Sequence, residues 1–373
     1  MIPVNEPALG ERELELVADC VRTGWVSSAG RYLDEFERRW AEYCGVKHGV
    51  AVSSGTAALN VAVSCLRLEP GDEVILPSFT IISCAQAVTK HGGLPVLVDC
   101  EPDTWCLDVD QVAARITSRT RAVMVVHMYG HPADMDPLRE LAERHGLVLI
   151  EDAAEAHGAE YKGRRCGGLG DISCFSFYAN KIITTGEGGM LLTDDDDWAA
   201  HARAYRNLCF RADRRFYHEE LGENYRMTNM QAALGVAQLD RVDEIVAHKR
   251  AMAVAYTERL RSCEALQLPV EREWARSTFW MYGVVLKDGR RDAADVARML
   301  LERGVQTRPF FLGMHEQPAF HRMGLFVAEA YPVTEMLGRQ GLYLPSGTAL
   351  TEEQVEAVSA AVLDSVAGAA RRI

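Results

Sequence analysis

Residues 172–189 read ISCFSFYANKIITTGEGG, and they join a strand pattern to a lysine and a glycine-rich turn. Apolar side chains alternate with small or polar ones over residues 172–177, which favours a strand. Lys181 comes just after this strand, and residues 184–189 form a turn next to it. Partial burial lowers the pKa of a lysine in such a place and produces a usable amine nucleophile. The chain holds only six lysines, so there are few candidates for this role.

Two other predicted strand ends carry polar groups. Residues 49–53 form a short apolar strand, and Ser54, Gly55 and Thr56 open a helix directly after it. Backbone N–H groups at that point can hold a phosphate, although the same residues also suit a plain helix cap. The apolar strand 147–150 runs into Asp152, whose buried carboxylate needs a partner. That partner is either a neighbouring arginine or a cationic ring nitrogen, and the small Ala154 would let a flat ring approach.

Strand and helix patterns alternate from about residue 30 to residue 240. Continuous apolar runs such as residues 122–126 and 147–150 are typical of parallel strands that are buried on both faces. The sequence therefore predicts an α/β sandwich with a mostly parallel sheet.

A second, smaller unit follows. Long helical patterns cover residues 229–247 and continue to about residue 263, and the unit after them contains a strand and two helices, predicted at 281–286, 292–303 and 351–370. We place the boundary near residue 250. This gives a large domain of residues 1–250 and a C-terminal domain of residues 251–373.

Composition narrows the classes of partner. The chain has 373 residues and a formal net charge of −13 at pH 7, which opposes general binding to nucleic acid. No apolar run approaches the ~20 residues of a membrane helix, and no signal-peptide pattern is visible at the N-terminus. We therefore expect a cytoplasmic protein without a membrane partner. The ten scattered cysteines and the acidic run 194–197 predict buried thiols and helix-capping acids, not a metal site.

Together the three strand ends supply the groups that pyridoxal 5′-phosphate (PLP) requires. The lysine can hold its aldehyde as a Schiff base, the carboxylate can keep its ring nitrogen protonated, and the helix start can hold its phosphate. No Walker motif and no Gly-x-Gly-x-x-Gly is present, so ATP and dinucleotide binding have little support. The other lysines lack this setting, since Lys162 lies in a predicted turn and Lys249 on a helix face that we expect to be exposed.

The chain resembles the DegT/DnrJ/EryC1 family of sugar aminotransferases over nearly its full length. The segments that carry the resemblance are 53–59, 151–158, 167–171, 176–181 and 184–190. It implies a fold-type I PLP-dependent transferase, with a three-layer α/β/α large domain and a smaller C-terminal α/β domain. Residues 23–28 and 344–347 are further similar to the branch of the family that acts on GDP-linked sugars.

The resemblance also implies roles for single residues. Lys181 would form the Schiff base and then move a proton between the cofactor carbon and the sugar carbon. Asp152 would pair with the ring nitrogen, and Glu155, where many relatives have glutamine, would lie near the ring hydroxyl. Ile81 occupies the position from which relatives often stack an aromatic side chain on the ring. Gly55, Thr56 and Ser176 would bind the phosphate, and Ser54 would be a further cofactor-binding residue. Asn229 would reach the phosphate from a second subunit, which implies a homodimer with shared active sites.

The reaction implied is transfer of the amino group of L-glutamate to a nucleotide-linked keto-6-deoxyhexose. GDP-4-keto-6-deoxymannose is the best match, and a 3-keto isomer or a dTDP- or UDP-linked sugar is the alternative. A sugar dehydratase of the same fold would have histidine in place of Lys181, and a non-catalytic regulator would be expected to lose Lys181 or Asp152. The residues expected near the mouth of the site, for substrate binding or for plain packing and pairing, are Trp25, Tyr225, Arg308, His315 and Tyr331.

Overall fold

The computed structural model describes residues 1–211, 213–287 and 291–367 and places them around a sheet of seven strands. The strands of the described residues are β1 His48–Val52, β2 Glu73–Pro77, β3 Leu94–Val98, β4 Thr120–Val126, β5 Val148–Asp152, β6 Glu160–Tyr161, β7 Arg164–Arg165, β8 Ile172–Ser176, β9 Gly189–Thr193, β10 Leu266–Gln267, β11 Ala275–Arg276, β12 Gly283–Leu286, β13 Arg308–Pro309 and β14 Gly341–Tyr343. In the large sheet they lie in the order β1-β9-β8-β5-β4-β2-β3.

The large sheet is parallel except at β9. This strand pairs antiparallel with β1 and with β8, whereas the pairs from β8 through β5, β4 and β2 to β3 are all parallel. β8 returns into β9 through a loop that contains the glycine-rich turn, and Ser176 pairs with Gly189 at its base. The predicted α/β architecture with a mostly parallel sheet is therefore confirmed.

Helices pack against this sheet in separate groups. The α-helices of the described residues are α1 Glu11–Thr23, α2 Arg31–Cys44, α3 Gly55–Cys65, α4 Ser83–Lys90, α5 Val109–Arg115, α6 Met135–His145, α7 Asp196–Tyr205, α8 Asn229–Leu239, α9 Val242–Leu260, α10 Ala293–Glu302, α11 Pro318–His321, α12 Pro332–Gln340 and α13 Glu352–Ala367. α3 contacts α4, α7 and the strands β8, β9 and β1. α5 contacts β3, α6 contacts β5, and these two helices also contact each other. α1 and α2 both pack on α8.

A second hydrophobic cluster belongs to the C-terminal unit. It includes Met252 and Tyr256 of α9, residues of the antiparallel sheet β10-β12-β14-β13, and buried side chains of α10 and α13. Val242 and Val246, at the other end of α9, belong instead to the large cluster around the main sheet. The proposed domain boundary at residue 250 falls between these two groups.

Two predicted elements differ from the structure. The helix expected over residues 229–247 is broken at Asp240 and Arg241, where α8 ends and α9 begins, because Arg241 leaves the helical backbone conformation. The expected strand 281–286 begins only at Gly283. Of the last predicted helix, residues 368–370 lie outside the described residues.

Lys249 is buried, so the expectation of an exposed lysine on a helix face is wrong. Only 2% of Lys249 is exposed to solvent. The buried residues of α9 recur at spacings of three and four, which is the period of one helix face, and position 249 belongs to that face. They are Val242, Ile245, Val246, Lys249, Met252, Ala253, Tyr256 and Leu260.

The first residues of the chain close the C-terminal unit. Ile2 bonds through its backbone to Gly304 and Gln306. Val4 accepts a hydrogen bond from the backbone of Ser346, and Asn5 Nδ2 donates to Ala179 of the large domain at 3.4 Å. Across the part of the chain that the structure describes, no helix is both long and apolar enough to cross a membrane.

Candidate active site

Nine of the ten residues predicted to bind the cofactor meet around one cavity of about 320 Å³ at the carboxyl ends of the central strands. This is the edge at which open parallel sheets bind ligands. The nine residues are Ser54, Gly55, Thr56, Ile81, Asp152, Ala154, Glu155, Ser176 and Lys181. The tenth, Asn229, lies elsewhere.

One end of the cavity is the first turn of α3. Ser54 caps this helix, because its Oγ accepts a hydrogen bond from Ala57 N at 3.1 Å. A Cβ atom at Gly55 would lie 2.7 Å from the Cβ of Ser176, so only glycine allows the helix start to approach the end of β8 so closely. The N–H groups of this first turn have no acceptor within the helix, and with the helix dipole they favour an anion.

His157 supports the same end, and the sequence interpretation did not select it. Its Nε2 donates a hydrogen bond of 2.8 Å to the carbonyl oxygen of Ser176. Burial lowers the pKa of His157 to about 3, so the ring is neutral at physiological pH. Its ring packs against Trp40 and Phe175 at centroid distances of 5.6 and 5.2 Å. His157 therefore fixes the position of the Ser176 backbone.

Asp152 reaches the cavity from the end of β5. Its Oδ1 accepts a hydrogen bond from Ala154 N at 3.1 Å, and its Oδ2 accepts one from Cys84 Sγ at 3.2 Å. Burial raises the pKa of this carboxyl group. Within residues 1–211, 213–287 and 291–367, no arginine or lysine forms an ion pair with Asp152. The sequence left a neighbouring arginine open as the partner of this carboxylate, and no such arginine is found in these ranges.

Glu151, the preceding residue, points away from the cavity because side chains alternate along a strand. It accepts hydrogen bonds from His127 Nε2 at 3.0 Å, from Ser173 Oγ at 2.9 Å and from backbone N–H groups of residues 167–170. His127 and Cys166 lie close enough to Glu151 to resemble a metal site. Both carboxylate oxygens are already bonded, however, so we assign this cluster a structural role.

Lys181 lies between an acid and an aromatic ring. Its Nζ is 3.8 Å from Glu155 Oε1 and 3.7 Å from the centroid of the Trp280 ring. Burial lowers the pKa of Lys181, while the charge of Glu155 opposes that shift. Burial raises the pKa of Glu155 to about 7, and its Oε2 accepts a hydrogen bond of 2.8 Å from Tyr129 N. The site thus holds a desolvated amine beside a carboxyl group that titrates near neutral pH.

A comparison with protein families decides the class. The profile described as the DegT/DnrJ/EryC1/StrS aminotransferase family matches residues 7–363. The chain belongs to this family. The resemblance seen in the sequence is therefore confirmed.

Relatives and solved structures of aminotransferases match over almost the whole chain. The GDP-perosamine synthase of Caulobacter vibrioides is 46% identical over 367 residues, which cover 98% of each chain. The aminotransferase TlmJ from Streptoalloteichus hindustanus is 33% identical, with a TM-score of 0.93 over 99% of this chain and 100% of that chain. DesV from S. venezuelae, solved in complex with a ketimine intermediate, is 36% identical, with a TM-score of 0.87 over 97% and 95%.

This aminotransferase is a PLP-dependent enzyme, and its cavity fits the cofactor. The start of α3 offers backbone N–H groups for the phosphate, and the lack of a side chain at Gly55 lets this helix start lie against Ser176 at the end of β8. Asp152 is buried, and among the described residues no cation forms an ion pair with it, although the charge of Lys181 acts on it; this suits a protonated ring nitrogen. Lys181 supplies the amine. We propose these residues as the ones that hold PLP.

Ile81 stands at the position from which relatives often stack an aromatic side chain on the ring. It lines the cavity and is 42% exposed. Phe79, two residues earlier, is fully buried and packs against Tyr129, Phe310 and Phe311. Phe79 therefore does not line the cavity, and contact with the ring from this segment would be aliphatic.

Several cavity residues of the aminotransferase were missed from the sequence. Trp280, Phe311 and Tyr343 come from the second half of the chain, and Tyr178 and Asn180 come from the loop before Lys181. Trp280 Nε1 donates a hydrogen bond of 2.6 Å to the carbonyl oxygen of Asn180. The local sequence around positions 280, 311 and 343 carries no motif, and only the fold brings these rings to Lys181.

None of the five residues predicted to contact substrate lines this cavity in the described structure. Arg308 is exposed on β13, and Tyr225 Oη accepts a hydrogen bond of 2.7 Å from Lys90 Nζ. His315 and Tyr331 are buried rather than placed at a mouth. His315 bonds to Ser78 Oγ at 2.8 Å, and Tyr331 Oη donates to the carbonyl oxygen of Leu97 at 3.1 Å.

Trp25 and Asn229 meet at a different surface. Trp25 is 57% exposed, and both residues line a separate depression near the start of α2. Asn229 is 1% exposed and bonds within its own chain, to Trp25 O at 2.8 Å and to Tyr32 N at 3.0 Å. The structure thus keeps Asn229 away from the cavity of its own chain.

Proposed function

We propose that this enzyme transfers the amino group of L-glutamate to a nucleotide-linked 4-keto-6-deoxyhexose, with GDP-4-keto-6-deoxymannose as the substrate. The observation that carries the proposal is the 46% identity to a GDP-perosamine synthase over 98% of both chains. The geometry agrees with amino transfer, because a desolvated amine, a buried carboxylate and an anion-binding helix start face one cavity.

Each part of the cavity has a task in this reaction. PLP, when bound, accepts the amino group of the donor and stabilises negative charge at the reacting carbon. Lys181 moves a proton at that carbon, since it is the only lysine that lines the described cavity. Asp152 keeps the ring nitrogen protonated, and Glu155 faces the amine of Lys181 at 3.8 Å. The first turn of α3 holds the phosphate.

We propose that two copies of the chain form a homodimer with shared active sites. Trp25 and Val26 expose 57% and 42% of their surface beside Asn229, and such neighbouring apolar side chains suit contact with a second copy. In that arrangement the segment that holds Asn229 approaches the partner's cavity. Sedimentation at several concentrations tests the dimer, and a Trp25→Asp variant that dissociates and loses activity would support it.

The function is tested by an absorbance spectrum followed by a product assay. A lysine-bound cofactor absorbs near ~410–430 nm, and L-glutamate should move this band to about 330 nm. GDP-4-keto-6-deoxymannose should then restore the first band and yield an amino sugar, whereas dTDP- and UDP-linked keto sugars should do so far more slowly. A Lys181→Ala variant is the control, because it should lack the first band.

The outcomes separate the alternatives. Restoration of the band by a dTDP- or UDP-linked sugar alone would refute the GDP substrate but leave amino transfer intact. A spectrum that does not respond to L-glutamate would contradict amino transfer from that donor. Nuclear magnetic resonance of the product distinguishes amination at carbon 4 from amination at carbon 3.

A further inference from the structure

A buried lysine outside the cavity joins two loops of the chain. Lys249 Nζ donates a hydrogen bond of 2.7 Å to the carbonyl oxygen of Trp280 and a second one to the carbonyl oxygen of Ser346. No carboxylate forms an ion pair with it within the described ranges, and burial lowers its pKa to about 7. A buried amine is costly without such partners, so the two carbonyl groups are what stabilises it there.

Lys249 lies where the two hydrophobic clusters meet. Along α9, Val246 belongs to the large cluster and Met252 to the small one, with Lys249 between them. The segment that contains Trp280 makes the same transition, since Trp280 packs in the large cluster and Tyr282 in the small one. The amine therefore joins two segments at the point where both pass from one domain to the other.

Trp280 connects this point to the reactive amine. The ring of Trp280 lies 3.7 Å from Lys181 Nζ, and its Nε1 donates to the carbonyl oxygen of Asn180, the residue before Lys181. Trp280 is 3% exposed. The side chain of Trp280 is thus fixed by the hydrogen bond of its indole nitrogen, and its backbone is fixed by the hydrogen bond from Lys249.

We propose that Lys249 is a positioning residue, which fixes the Trp280 ring over Lys181 and so links the placement of the C-terminal domain to the reactive amine. It touches neither Lys181 nor the cavity and acts through Trp280. This proposal rests on the role of Lys181 proposed above.

The test follows Trp280 in the full-length protein labelled with 5-fluorotryptophan. A Trp280→Phe variant assigns its fluorine resonance. Lys249→Met keeps the length and apolar character of the side chain and removes both hydrogen bonds. We expect the Trp280 resonance to shift or broaden in this variant. We also expect PLP added to cofactor-free protein to react with Lys181 at least about fivefold more slowly, because the Trp280 ring no longer holds the Lys181 amine in place.

Met252→Ala is the matched control. Met252 is 4% exposed on the same face of α9, and it makes no hydrogen bond to Trp280 in the described structure. This variant should lower the free energy of unfolding but leave the Trp280 resonance in place. If Lys249→Met does not fold, Lys249→Gln replaces it, since glutamine is shorter and cannot reach both carbonyl groups. An unmoved Trp280 resonance in a folded Lys249 variant overturns the proposal.

A double-mutant cycle shows whether Lys249 acts through Trp280. If it does, Lys249→Met combined with Trp280→Phe reacts with PLP no more slowly than Trp280→Phe alone. Independent slowing by the two substitutions contradicts the proposal. If PLP does not react even with the unchanged protein, the role of Lys181 is refuted, and the fluorine resonance alone decides on Lys249.

Discussion

Replacement of Glu155 by glutamine removes the charge that faces Lys181. Glu155 Oε1 lies 3.8 Å from Lys181 Nζ, and both side chains are nearly buried. Glutamine can keep the hydrogen bond from Tyr129 N through its carbonyl oxygen, so the substitution changes charge with little change of shape. A carboxylate stabilises the neighbouring ammonium, and its removal therefore lowers the pKa of Lys181.

The size of this shift follows from the separation. Two unit charges about 4 Å apart interact by about 4 kcal/mol at an effective dielectric constant of about 20, which corresponds to about three pKa units. Burial raises the pKa of Glu155 to about 7, so only part of the population carries the charge near neutral pH. We therefore expect Glu155→Gln to lower the pKa of Lys181, by less than the full interaction of two unit charges.

The assay is the rate at which PLP reacts with cofactor-free protein as a function of pH. The rate rises as Lys181 loses its proton, so the midpoint of the profile reports its pKa. Glu187→Gln is the control, because it removes a charge from the exposed rim of the same cavity. Its midpoint should move much less. A midpoint that stays in place or moves to higher pH in Glu155→Gln would refute the electrostatic argument.

Three further outcomes are expected. Asp152→Asn should slow the reaction with L-glutamate by about 100-fold or more in stopped-flow experiments, because a preorganised charge is lost. Urea unfolding of the cofactor-free protein should show no loss of stability in this variant, because burial raises the pKa of Asp152 and thus disfavours its charged form in the folded state. Gly55→Ala should weaken PLP binding in equilibrium dialysis and cost about 1–3 kcal/mol of unfolding free energy, because its Cβ would meet Ser176 at 2.7 Å; unchanged binding would contradict the phosphate assignment. Burial lowers the pKa of His131 to about 4 and of His157 to about 3. As the pH falls below about 6.5, these histidines therefore bind protons in the unfolded state before they do so in the folded state. The free energy of unfolding should then drop by up to about 1.4 kcal/mol per pH unit for each histidine. Urea unfolding at about pH 7.5 and about pH 5 measures this slope, which His157→Phe should reduce.

The parts of the site that the sequence predicted are local. Ser54 and Lys181 follow a strand within a few residues, Asp152 is the last residue of a strand, and parallel strands end at one edge of the sheet. Strand pattern and residue type together are then enough to bring them to one cavity. Trp280 and Tyr343 reach the same cavity from the C-terminal unit. No local pattern marks them, because their position depends on how two units pack.

Lys249 and His315 show a different reason for error. The apolar period of α9 includes position 249, but a lysine is so seldom buried that the residue type outweighed the period. His315 was expected near the pocket mouth, and its bond to Ser78 buries it instead. Polar residues can be buried where backbone or hydroxyl groups form hydrogen bonds with them. Because these partners are distant in sequence, a local pattern does not reveal them. The break at Asp240 was missed because both neighbouring segments are helical by composition.

The contacts of the first few residues bear on the order in which this chain folds during synthesis. All strands of the large sheet lie between residues 48 and 193, so that sheet can form while the remainder is still being made. Ile2 and Val4, in contrast, pair with residues 304–306 and 346. They are made well before these partners, so their contacts form only after residues up to 346 have left the ribosome. Completion of the C-terminal unit is thus a late event that also requires residues 2–4, which are distant from it in sequence.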